Sequence, residues 1–95
     1  MRVANSQTTV VSVQTQAGGV LEVILEGPSH ADVQGPAARK LAEQAACEAG
    51  IPKVAHLDND AFAIDTEGKE IRPETQQQQV FGGVRCAYRM RASIS

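Results

Sequence analysis

A chain of 95 residues with a formal charge of −2 has room for one small domain and no bulk charge with which to attract a polyanion. Two cysteines are too few for a disulfide scaffold, no run approaches the roughly 20 apolar residues of a membrane span, and the opening MRVANSQTTV has no apolar centre of a secretion signal. These features point to a single α+β domain over residues 1–95, in the cytoplasm, with a core short of bulk: ten Val and nine Leu or Ile, but two Phe, one Tyr and no Trp.

QTTVVSVQT reads as a first strand over residues 7–15, rich in the β-branched residues that suit a pleated surface. Gly18-Gly19 then takes positive φ cheaply, and VLEVILE over residues 20–26 returns as a second strand, making a hairpin. Leu21, Val23 and Leu25 share one face of that strand. Val20, Glu22, Ile24 and Glu26 share the other.

After GPSH, Ser29 and Asp32 have the spacing of a capping box, with Asp in the place usually held by Glu. A helix begun there meets Gly35-Pro36, where the proline ring clashes with a preceding carbonyl. One helical turn is therefore expected before the break, and the main helix from Pro36 to just before Gly50. On it Ala38, Leu41, Ala42, Ala45 and Ala49 form one stripe, while Arg39, Lys40, Glu43 and Cys47 lie on the other side.

IPKVAHLDN suggests a third strand near residues 53–57, DND a turn, and AFAID a fourth strand. TEGKEI is a turn with Gly68 at positive φ, and the polar stretch 72–79 is a loop. Gly82-Gly83 marks a bulge or a close backbone approach before the last strand. The order β-β-α-β-β-β with short links implies a two-layer α+β fold. One mostly antiparallel sheet of 4–5 strands carries a single main helix on one face.

Chemistry is sparse. His56, Asp58 and Asp60 alternate in HLDND, and on a strand they would share a face as a divalent-metal set; ordinary turn chemistry of Asp and Asn explains the same residues. The stretch lacks the glycine and later ligands of a calcium loop. Cys47 has no oxyanion hole or orienting group, and neither Gly-Gly pair has phosphate-loop spacing. No catalytic, metal or cofactor residues are assigned, and the chain reads as a non-enzyme.

The pattern with most to say is VRCAYRMRASIS, residues 84–95. Val84, Cys86, Tyr88, Met90, Ala92 and Ile94 alternate with Arg85, Arg89 and Arg91, so that one face is apolar and the other only positive. Residues 80–95 hold a net of +3, whereas residues 1–79 hold −5. Charge on an exposed edge strand discourages aggregation, usually through lysine; arginine favours a gripped carboxylate or phosphate. The expected role is a non-enzymatic protein-interaction or self-assembling accessory module. Its contacts would be Arg85, Arg89 and Arg91 and the sheet edges, and its partner a second copy or an acidic protein. The alternative is a nucleic-acid-binding protein that touches phosphates through the same arginines, with the acidic remainder and the lack of aromatics against it.

Overall fold

The computed structural model describes residues 8–72 and 79–93. In chain order the elements are β1 (Thr9–Gln16), β2 (Val20–Gly27), α1 (His30–Gln34), α2 (Pro36–Glu48), β3 (Val54–Asp65) and β4 (Phe81–Ala92). The four strands form one sheet in the order β1-β2-β4-β3, every neighbouring pair antiparallel. One face carries both helices and the other is bare, so the fold is the two-layer α+β arrangement expected. Because β4 lies antiparallel between β2 and β3, those two strands run parallel, and the helices carry the chain over β4 from one to the other.

The hairpin β1–β2 closes through a 3-10 turn, Ala17–Gly19, with Gly18 at φ +81° and Gly19 at +75°, where a side chain would be strained. Helix α1 is the short turn expected before Pro36. Ser29 there donates its hydroxyl to the Asp32 carboxylate at 2.7 Å, and the Asp32 N–H returns to the Ser29 carbonyl. Gly50, at φ +100°, ends the second helix, and the Ile51 N–H bonds back to the Ala46 carbonyl so that Ile51 packs on the core.

The core lies between helices and sheet. Leu21, Val23 and Leu25 of β2, Val84, Cys86, Tyr88 and Met90 of β4, Val33 of α1 and Ala38, Ala42 and Ala46 of α2 are all buried. The buried stripe of α2 is turned from the one expected. It centres on Ala42, Leu41 and Ala45 are half-buried at its margin, and Ala49 is exposed beyond the helix end. The fully buried positions of the helix are all alanine, which allows close approach to the sheet, and its one bulky residue, Leu41, is half-buried beside them.

Two expectations are corrected. The third and fourth strands are one, β3, and Asp58-Asn59-Asp60 lies inside it rather than in a turn. Turn propensity loses because β4 is equally long and offers a ladder throughout, pairing Asp58 with Arg89, Asn59 with Tyr88 and Asp60 with Ala87. The order is thus β-β-α-α-β-β. And β4 is an interior strand, so its arginines do not guard an edge.

The β3–β4 connection begins as the expected turn, with Gly68 at φ +87°. The Asp65 carboxylate accepts the Glu67 and Lys69 N–H groups at 2.8 and 2.9 Å and the Gln79 side-chain amide at 2.9 Å. The ladder slips between Ile64 and Asp65, opposite Gly82. A β-carbon on Gly82 would sit 2.5 Å from the Asp65 carbonyl oxygen, which is the close approach the glycine pair signals. Residues 73–78 of the connecting loop, Gln7 of the first expected strand and Ile94 of the terminal pattern lie outside the described residues.

Candidate interaction surface

Alternation along β4 places its side chains as the sequence demands: Val84, Cys86, Tyr88 and Met90 are sealed under the helices, and Arg85, Arg89 and Arg91 stand on the bare face. Their neighbours decide what they do there. The ladders set Arg85 beside Glu26 and Phe62, Arg89 beside Glu22 and Asp58, and Arg91 beside Val20 and Ala55.

Arg85 Nε donates to Glu26 Oε1 at 2.9 Å. Arg89 bridges two strands, with Nη1 at 2.8 Å from Asp58 Oδ1 and Nε at 3.6 Å from Glu22 Oε2. The hydrogen bond to Asp58, and then its charge, raise the Arg89 pKa further. Arg91 is exposed and has no ion pair among the described residues. The face that looks purely positive in one strand is therefore neutralised across three. Acidic residues far away in sequence, Glu22, Glu26 and Asp58, supply the charge that residues 84–95 lack.

HLDND does not form a shared face. Leu57 is an extra residue in the β3 ladder, between the pairs His56–Met90 and Asp58–Arg89. This bulge sends His56 to the helical side and leaves Asp58 and Asp60 on the bare one. His56 Nε2 lies 2.8 Å from Glu43 Oε2 of α2, and its ring meets that of Tyr88 edge-on, with centroids 6.2 Å apart. His56 thus fastens α2 to β3. Among the described residues no group of three or more His, Cys, Asp or Glu side chains is arranged to hold a metal ion. Both thiols are free, Cys47 exposed on α2 and Cys86 buried, where loss of solvent raises the Cys86 pKa.

A surface hollow of about 390 Å³ lies beside Ile51, Pro52, Lys53, Ala92 and Ser93, and a polar one of about 250 Å³ lies over Glu26, Asp65 and Arg85. Neither joins a nucleophile to an adjacent base. No helix among the described residues is long and apolar enough to cross a membrane.

The sheet edges differ from each other. β3 is one edge, bearing Asp58 and Asp60 and interrupted at Leu57. β1 is the other, and TVVSVQTQ contains no charge and no proline. Its Val10, Val11 and Val13 are 41%, 42% and 39% exposed. Val10 and Val13 pair with the buried Leu25 and Val23, so they stand on the helical side, where α2 stops short of covering them. Between strand and helix runs a hollow of about 160 Å³ lined by Val10, Leu41, Gln44, Ala45 and Glu48. Reading the sequence strand by strand identifies β1 but misses this surface. Its signal was there in a β-branched strand with no charged residue.

Compared with known proteins, the chain matches no family model, no curated protein and no solved structure.

Proposed function

We propose that this chain is a non-enzymatic protein-interaction module that associates with itself through a sheet edge. The observation that carries this reading is the row Val10, Val11 and Val13, three half-exposed valines on one uncharged edge strand. An edge of that composition offers unpaired N–H and C=O groups and apolar side chains together, which is what strand addition needs. The thin core supports the same reading, since a domain whose helix buries only alanines and one bulky neighbour gains from covering more apolar surface.

The arginine face contributes less than its sequence promises. With Arg85 and Arg89 engaged by Glu26, Glu22 and Asp58, an acidic protein or a phosphate backbone would have to displace those carboxylates, and of the three arginines would meet Arg91 alone with no ion pair among the described residues. That favours the edge over the face as the contact, and a protein over nucleic acid as the partner.

Light scattering coupled to size exclusion, in reductant so that Cys47 cannot cross-link copies, tests the reading. A mass of twice the chain or more at tens of micromolar, on the order of concentrations where modest interfaces form, is expected. A monomer across that range overturns it.

A further inference from the structure

Resting on that self-association reading, we propose that the interface is β1 against β1 of a second copy. The two strands pair antiparallel about a two-fold axis, and the flanks of the two α2 helices are brought together over the joint.

Three features single out this occupant. The strand is uncharged over its whole length, so a copy of itself meets no like charge at any register, whereas a β3–β3 pair would set Asp58 and Asp60 against their own copies. Both edges carry a bulge, at Leu57 in β3 and between Val10 and Ser12 in β1, so charge rather than ladder regularity separates them. Beyond its bulge β1 keeps Ser12 through Gln16 in unbroken pairing with β2. This five-residue stretch is regular enough to template a partner.

The helical side adds the second contact. Val10 and Leu41 border the hollow between β1 and α2, and in a two-fold pair the open sides of the two hollows face each other. The apolar residues half-covered in one copy then cover those of the other. The helices run antiparallel across the joint, as the strands do. Glu48 is the charged residue that borders the hollow, at the end of the helix. An antiparallel copy keeps the two Glu48 side chains at opposite ends of the joint, whereas a parallel one would set them side by side. An isologous contact of this kind closes on itself and makes a dimer with one continuous eight-stranded sheet, rather than a filament.

The test introduces one charge at each edge. Val13→Lys should weaken the dimer by at least about tenfold, because the two-fold brings the lysines of both copies into one apolar joint. Leu57→Lys, at the opposite edge, should leave the dimer unchanged. Sedimentation gives the masses and circular dichroism the folding of each variant. A dimer that persists in folded Val13→Lys overturns the β1 interface and leaves self-association standing, while an unmodified chain that is monomeric overturns both. Hydrogen exchange on the unmodified protein decides the matter even if the variant fails to fold. Protection of β1 amides that rises with protein concentration supports the interface; protection that does not change with concentration overturns it.

Discussion

Tyr88 is fully buried, and its hydroxyl donates to the Val33 carbonyl, tying the central strand to α1. Burial pushes its pKa up to about 12, and the neighbouring Cys86 thiol is raised by the same cause. The sign of the pH effect follows. Both groups stay protonated in the fold at pH values where the unfolded chain has released its protons, so the unfolded state is favoured as pH rises. The stability that Tyr88 contributes is intact below pH 10, its ordinary value, and is lost as pH climbs toward 12. Urea midpoints measured across that window should fall, and in Tyr88→Phe they should fall less steeply. At neutral pH the same variant should lose about 1–3 kcal/mol, since the Val33 carbonyl keeps its burial and loses its donor. Asp65 has the opposite sense. The Lys69 N–H bond, followed by bonds from Gln79 and Glu67, holds its carboxyl below the usual value, so its contribution is present above pH 3.8 and lost in acid.

Element by element, β4 separates packing from charge. Met90→Ala removes a wholly buried side chain and should cost about 2–5 kcal/mol by thermal or chemical denaturation. Arg89→Ala, one residue away, breaks two ion pairs on the bare face and should cost about 1 kcal/mol or less. That contrast was legible in the sequence because a period of two needs no partner to be recognised. So were the hairpin, with its two glycines at positive φ, and the break at Pro36, where the geometry is local. What stayed hidden depends on residues far apart in the chain. The arginines look unpaired until β2 and β3 supply Glu22, Glu26 and Asp58, and Asp58-Asn59-Asp60 looks like a turn until β4 offers a ladder. The bulge at Leu57 moves His56 off the face it would share with two aspartates, and nothing local to HLDND announces an extra residue.

At the scale of the molecule the two sheet faces and two edges divide the work. The helical face makes the core, the bare face is cross-braced by its own charges, the β3 edge is acidic, and the β1 edge is uncharged, with three exposed valines. An association driven by β1 should respond to salt differently from one driven by arginine. Raising ionic strength from about 0.1 M to about 1 M shortens the Debye length from about 10 Å to about 3 Å. The dimer should survive that change undiminished when followed by light scattering. Dissociation under those conditions would return the arginines to the centre of the interaction.

The place of β4 in the sheet also has a consequence for how the chain reaches its fold. It follows every other described element in the sequence, yet it alone bonds to both β2 and β3. On a ribosome, β1, β2 and both helices emerge while the inner edge of β2 is still open, and β3 emerges with no strand to join. The sheet is then a two-stranded hairpin whose core lacks Val84, Cys86, Tyr88 and Met90, a structure of marginal stability in water. Completion waits for β4 to slide between strands separated in the chain by both helices, so closure is a late, non-local step of the kind that slows folding. Until then the exposed β2 edge, with Leu21, Val23 and Leu25 uncovered by their main neighbour, is the stretch of nascent chain a chaperone would have most reason to shield.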